Sequence, residues 1–337
     1  MQTTNQQDTT ATTMTAVVQD AYSAVPEEAL RLGRIDRPVP GEGEVLVRVR
    51  AASVDRGTWH LMAGRPYPMR LAFGLRRPAS ANPGRTLAGT VAALGLGVTG
   101  FRPGDEVFGT ASANGTFAEF AVARVTRLAA SPAQLTPEAA AALPISGSTA
   151  LQAVRDHARV RAGEEVLVIG ASGGVGSFAV QIAKARGARV TGMASPAKRD
   201  AVRALGADQV LDRAVTDLGE GRYDVVIDIA GRRPLAQLRR ALTPHGRLVI
   251  VGGETGGRVL DGLGRQFRAA LLSPFVGQRL GFFVNRENAA DLAALADLVE
   301  AGAVTPLVDR VYPLAETAAA VRHLVDGRAT GKVVVAV

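Results

Sequence analysis

The chain has 337 residues and no cysteine. That excludes disulfides, thiol nucleophiles, iron–sulfur ligation and thiolate zinc sites, all of which need a sulfur donor. No apolar run approaches the ~20 residues that a membrane-crossing helix requires. The stretch Leu260 to Leu272 comes closest and is broken by Arg265 and Arg268. Residues 1–13 are rich in Thr and Gln, with neither the basic start nor the apolar centre of a secretory signal. They read as a disordered tail, with folded sequence from Met14 and a cytoplasmic location expected. Aromatics are scarce: one Trp and four Tyr leave little surface on which bases could stack. Lysine is scarce too, since the 39 basic residues include only Lys184, Lys198 and Lys332. The net charge of +8 therefore comes from arginines scattered singly or in pairs, which looks like composition bias. Neither nucleic acid nor a membrane is expected as a partner.

What is present fits two domains, because the length exceeds what one core usually serves and 47% of residues are hydrophobic. Up to about Val125 the chain reads as short strands, such as Glu44 to Ala51 and Thr86 to Ala93, separated by Pro-Gly turns. This is a β-barrel type of pattern. From Thr136 onward helices alternate with strands, the pattern of a doubly wound parallel sheet. After Val304 the chain returns to strand and helix, and Gly331 to Val337 most simply rejoins the first domain. The expected division is 14–127 with 304–337 for one domain and 128–303 for the other.

The most informative segment is Glu165-Val-Leu-Val-Ile-Gly-Ala-Ser-Gly-Gly-Val-Gly176, followed by a helical run to Gly187. A buried strand, a glycine turn and a helix N-terminus are what a dinucleotide pyrophosphate needs: free N–H groups, the positive end of the helix dipole, and no side chain in the way. The turn residues Ser172, Gly173, Gly174, Val175 and Gly176 are candidates to face the pyrophosphate, the alternative being an ordinary strand-to-helix turn. The next strand, from Arg189, should end by the adenosine ribose, where an NAD-binding chain presents an acid. No Asp or Glu lies between Gly187 and Arg199, whereas Ser195, Lys198 and Arg199 follow the strand. One hydroxyl and two cations suit a 2′-phosphate, so NADPH is expected over NADH. The alternative is that Lys198 and Arg199 form a solvated helix start.

Several further segments recur in order: Pro40-Gly-Glu-Gly-Glu-Val-Leu-Val-Arg-Val, Val98 to Gly109, Gly115-Thr-Phe-Ala-Glu-Phe120, Leu205-Gly-Ala-Asp208 and Gly331-Lys-Val-Val. Together with the glycine turn they resemble the medium-chain dehydrogenase/reductase superfamily, and within it the zinc-independent quinone oxidoreductase branch. The resemblance covers nearly everything after Met14. It implies an α/β fold with a GroES-like β-barrel catalytic domain, a Rossmann domain binding NADPH, a cleft between them, and a homodimer. Zinc-dependent relatives carry a Gly-His-Glu ahead of an Ala-Gly turn. Here Gly84-Arg-Thr-Leu-Ala-Gly89 puts Arg85 and Thr86 at those places, and the four-cysteine lobe is missing, so no metal is expected.

The resemblance also implies site residues. In Ser53-Val-Asp-Arg-Gly-Thr-Trp-His60, Asp55 stands where relatives have an Asn near the nicotinamide. His60 is a candidate proton donor with Asp55 orienting it; the alternative is that His60 is wall and water supplies the proton. Thr149 is expected near the nicotinamide. Ala230, Gly231, Gly252 and Gly253 follow strands at their cofactor ends. Phe283 and Lys332 would close the cleft or serve as packing or surface residues. Arg213 stands near where relatives have a Tyr by the adenosine phosphate. The segments Met62 to Arg77 and Arg258 to Arg279 mix apolar residues with arginine and would shape the acceptor site or pack domains. The strand around Phe282 is a candidate dimer edge.

The activity implied is NADPH-dependent reduction of quinones or α,β-unsaturated carbonyls, the substrate being a small hydrophobic molecule. A pathway-specific enoyl or ketone reductase of secondary metabolism, or a non-catalytic NADPH-binding scaffold, are the alternatives.

Overall fold

The computed structural model describes residues 12–112, 115–215, 217–253 and 263–337. Its two sheets follow from two hydrophobic patterns. Strands such as Glu165–Ile169 and Tyr223–Asp228 are almost wholly buried runs, as expected where helices cover both faces of a parallel sheet. They belong to a six-stranded parallel sheet. Its spatial order is Gln209–Asp212, Arg189–Ala194, Glu165–Ile169, Tyr223–Asp228, Leu242–Ile250, Arg279–Phe282. The chain starts in the middle and works outward in both directions, which opens a crevice beside the end of Glu165–Ile169.

The other sheet has seven strands and is mostly antiparallel. Its axis is the eleven-residue strand Glu44–Val54, which pairs with Thr86–Leu94, Phe120–Arg124 and Lys332–Ala336. Register shifts near Val47 and Ala51 let one strand serve three partners along its length. A separate hairpin, Thr13–Val18 with Arg31–Asp36, packs on the side. The first strand thus starts at Thr13, inside the segment read as tail; residues 1–11 lie outside the described residues.

The two sheets share apolar packing. One continuous core joins Ala51, Ala88, Phe108 and Val334 of the antiparallel sheet to Phe178, Ile182 and Val166 of the parallel one. The helix Pro144–Gln152 lies between them, almost entirely buried. Pro144 opens it, at a position where its missing N–H removes no helical bond. The helix passes into a π turn, Ala153–His157. No helix among the described residues is long and apolar enough to cross a membrane.

Candidate active site

At the crevice the chain turns through Gly170 to Gly173 and starts the helix Gly174–Ala185. Gly176 is required there: a Cβ would stand 2.0 Å from the Gly170 carbonyl oxygen. This contact packs the helix against the end of its strand, and the N-terminal N–H groups of the helix are left for an anion. A second strut holds the turn from the far side, where Gly331 N–H donates to the Ser172 carbonyl at 2.8 Å. The following residue, Lys332, runs under Gly174, whose Cβ would meet its Cδ at 2.9 Å.

Lys332 is only 2% exposed, and Asp55, at the end of the long strand, is 7% exposed. Its ammonium donates to Asp55 Oδ1, to Ser146 Oγ at 3.1 Å and to the Val54 carbonyl at 3.3 Å. Ser146 Oγ in turn donates to Asp55 Oδ1 at 3.0 Å. Burying an ammonium is tolerable only with a counter-charge and filled hydrogen bonds, and this cluster supplies both. Lys332 is thus an interior residue and not a surface one.

The expected Asp55–His60 couple is replaced. The carboxylate hydrogen-bonds Lys332 and Ser146, because a buried ammonium has a stronger claim on it than a half-buried imidazole. His60, in the helix Arg56–Ala63, has its Nδ1 3.1 Å from the Arg65 carbonyl and its ring edge-on to Trp59. A cavity of about 300 Å³ opens beside this helix. The helix contributes Thr58 and Leu61 to its wall, while His60 is not part of it. Phe73, Pro78, Asn82, Arg85 and Ser112 are also in the wall, so the segment Met62 to Arg77 reaches the cavity only at Phe73.

Thr149 donates to the Ile145 carbonyl at 2.6 Å and lies one helical turn from Ser146. Gly231 takes φ +69°, a left-handed conformation, and a Cβ there would be 2.7 Å from the Gly252 oxygen. Ala230, Gly231, Gly252 and Gly253 thus form two backbone ends in contact at the crevice. Arg265, from the helix Leu263–Leu272, ties them down by pairing with buried Asp228 and donating to the Gly252 carbonyl at 3.2 Å. The remainder of the segment before Gly264 lies outside the described residues. Phe283 stacks on His157, ring centroids 4.2 Å apart, so it packs against the π turn.

The adenosine end is less simple than its sequence. Lys198 donates to the carbonyls of Gly327 and Ala329, at 3.0 and 2.5 Å. Burial depresses its ammonium below the ordinary lysine value; Asp309 opposes this and the Arg213 charge adds to it. Arg213 is exposed, and its charge and that of Lys198 oppose each other there. Arg199 differs: its Nη2 donates to Asp212 Oδ2 at 3.0 Å. Asp212 ends the neighbouring strand in register with Ala194, so pairing brings in an acid that the linear stretch between Gly187 and Arg199 lacks. Arg199 is accordingly a partner of Asp212 before it is a partner of any phosphate. Ser195 stands half-buried just after the strand.

Ser146, Asp212 and Glu287 were missed in the sequence. Ser146 carries one signal, a hydroxyl facing inward on an otherwise buried helix. Asp212 and Glu287 carry none, since their partners are set by strand pairing and by domain packing.

Comparison with known proteins agrees with this geometry. Residues 41–133 match the alcohol dehydrogenase GroES-like domain, and residues 205–335 match the family described as zinc-binding dehydrogenase. The quinone oxidoreductase QR1 of Triphysaria versicolor is 30% identical over 336 residues, covering 96% of this chain and 98% of that protein. The solved quinone oxidoreductase of Coxiella burnetii superposes with a TM-score of 0.82 at 28% identity, covering 96% and 99% of the two chains. The CurK enoyl reductase gives 0.82 at 25% identity, over 97% and 99%. Oxidoreductases of this family bind a nicotinamide cofactor, and the chain belongs to the medium-chain dehydrogenase/reductase superfamily, in its quinone oxidoreductase-like branch.

Proposed function

We propose that this chain is an NADPH-dependent reductase of quinones or α,β-unsaturated carbonyls that works without zinc. The observation that carries the reading is the cavity of about 300 Å³ beside the Asp55 segment. Its wall holds the Thr58 and Ser112 hydroxyls, buried and without a partner among the described residues. When bound, the nicotinamide supplies the hydride. The turn Ser172 to Gly176 would hold the pyrophosphate on backbone N–H groups, and Lys198 with Arg213 would hold the 2′-phosphate. Thr58 donates a hydrogen bond to the acceptor oxygen as negative charge grows there, and water brings the proton. Asp55, locked by Lys332 and Ser146, fixes the strand end at the cleft floor.

The donor set does not suit zinc. Arg85 is a cation at a place where zinc-dependent relatives have a histidine ligand, and no thiolate exists in the chain. Among the described residues no three His, Asp or Glu side chains gather into a metal cage. Following NADPH oxidation against quinones, enals and enones, with and without a chelator, tests the reading. Activity that disappears on chelation and returns with zinc contradicts it.

Enoyl reduction in a biosynthetic pathway is a second reading, supported by the likeness to CurK. Homodimerisation is supported by the edge strand Arg279–Phe282, which pairs on one side only among the described residues, and by exposed Phe267, Leu271, Phe275 and Val284 nearby. Sedimentation of the purified chain tests it.

A further inference from the structure

Among the described residues, the wall of the acceptor cavity contains one charged side chain, Arg85. Between Asp55 and Asp105 the sequence has no acidic residue at all, so this side of the cavity has no local counter-charge. The carboxylate that answers Arg85 comes from the other domain. Glu287 receives two bonds from one Arg85 Nη, at 2.8 and 2.9 Å, one from Thr110 Oγ1 at 3.0 Å, and an ion pair from Arg127 at 3.4 Å. Two guanidinium groups thus share one carboxylate, and no other carboxylate pairs with either of them among the described residues. The wall keeps one positive charge. Both bonds to Glu287 leave from a single Nη, and among the described residues the other guanidinium donors of Arg85 have no side-chain partner, so they remain for a second oxygen anion. Glu287 stays held by Arg127 and Thr110 while that happens.

Three residues of the same wall each hold a buried polar atom that bears on the rest of the ligand. Thr58 Oγ1, Ser112 Oγ and Asn82 Oδ1 are buried without a partner among the described residues, Thr58 being 3% and Asn82 5% exposed. Unpaired buried polar atoms are costly unless a ligand fills them. The two hydroxyls can donate to a carbonyl once their side chains turn toward the cavity, while Asn82 is held by its bonds to the Val17 and Phe117 carbonyls. A volume of about 300 Å³ is at the small end for ligand sites, which favours a compact acceptor over a long-tailed one.

We infer that Arg85 is the residue that selects the acceptor, and that the preferred acceptor is a small α,β-unsaturated carbonyl that also bears a carboxylate. The carboxylate sits on the free edge of Arg85 and the carbonyl faces Thr58. This rests on the reductase reading above and narrows its substrate class.

Acetylacrylate and its methyl ester, which lacks that charge, serve as the probe pair, and comparing their ratio between variants cancels the intrinsic difference in reactivity. The ratio of kcat/KM for acid over ester is expected to fall about tenfold or more in Arg85→Gln, the scale of one lost charge-assisted contact. In Glu287→Gln the ratio should rise, because a competing negative charge is gone. Calorimetry with levulinate, which has the carboxylate and ketone but no reducible double bond, reads the seat without turnover. Levulinate should bind the cofactor-loaded wild type more tightly than methyl levulinate does, and Arg85→Gln should erase the difference. If neither acetylacrylate nor any quinone or enone is reduced, the reductase reading fails while levulinate still reports on the seat. An unchanged acid-to-ester ratio in Arg85→Gln, a ratio that falls equally in Glu287→Gln, or equal binding of levulinate and its ester overturns the proposal. The Arg85–Glu287 pair is then only a tie between domains.

Discussion

The glycine turn and the wall of the cavity beside Thr58 are made of different material. From Ser172 to Gly176 the groups on offer are backbone N–H, and what the sequence must supply is the absence of side chains. Around Thr58, Asn82 and Arg85 the working groups are side-chain tips, brought together from distant segments and answered by Glu287 of the other domain. A backbone site depends on a few adjacent residues. A side-chain site depends on the whole fold being in register.

The comparison is broken most severely at Gly176. Gly176→Val would drive a branched side chain into the Gly170 carbonyl, already 2.0 Å from a Cβ. We expect loss of measurable cofactor binding in a fluorescence titration and a stability loss of about 4 kcal/mol or more, the range of severe core overpacking. Retained NADPH binding in this variant would mean that the helix start is not what holds the phosphates.

Next in size is the Asp55–Lys332 pair. Asp55→Leu strands a buried ammonium and should cost about 3–5 kcal/mol in urea unfolding. The double variant Asp55→Leu with Lys332→Met should recover much of that loss, since an apolar pair of similar volume often replaces a buried ion pair without penalty. If the double variant is as unstable as the single one, the cluster does more than balance its own charge.

Smaller effects belong to the adenosine end. Lys198→Ala should weaken NADPH by about 1–3 kcal/mol and leave NADH nearly unchanged, whereas Arg199→Ala should do much less because Arg199 already answers Asp212. Equal loss for both cofactors in Lys198→Ala would remove the 2′-phosphate assignment.

The smallest expected effect concerns the support behind the side-chain site. Gln152, at the end of the helix that carries Ser146 and Thr149, donates to Asp291, as do Arg155 and Asn288. Burial would raise the Asp291 carboxyl, but the hydrogen bonds from Arg155, Asn288 and Gln152 outweigh it and hold it below its ordinary value. A carboxyl depressed in the folded state adds stability that is fully present above its unfolded pKa, about 4, and lost as pH falls through the folded value. Wild type should therefore lose an acid-sensitive increment of stability below about pH 4 that Asp291→Asn lacks. Parallel pH profiles for the two would show that the cluster is not under that control.

This contrast also explains what could be read from the residues alone. Strand, turn and helix around Gly176 are adjacent in sequence, so local patterning was sufficient to place them, and the same holds for the alternation of the parallel sheet. Asp55 was found but given the wrong partner, because Lys332 lies 277 residues away and only strand pairing brings the two together. The absence of an acid between Gly187 and Arg199 was correct as a linear statement and incomplete in space, since Asp212 enters from the adjoining strand. Arg85 was noted for what it displaces; its ionic partner Glu287 could not be inferred without the domain packing.

The strand Lys332–Ala336 gives the molecule an order in time. It completes the antiparallel sheet beside Glu44–Val54, and the residues at its start brace the phosphate turn and neutralise Asp55. On the ribosome the parallel sheet is finished and free to collapse well before this strand emerges. Until then Asp55 has no ammonium beside it and the turn has no outer strut. The Asp55 cluster thus forms only after the parallel sheet, and a chain stalled before Lys332 would hold that sheet with Asp55 unpaired and the glycine turn unbraced.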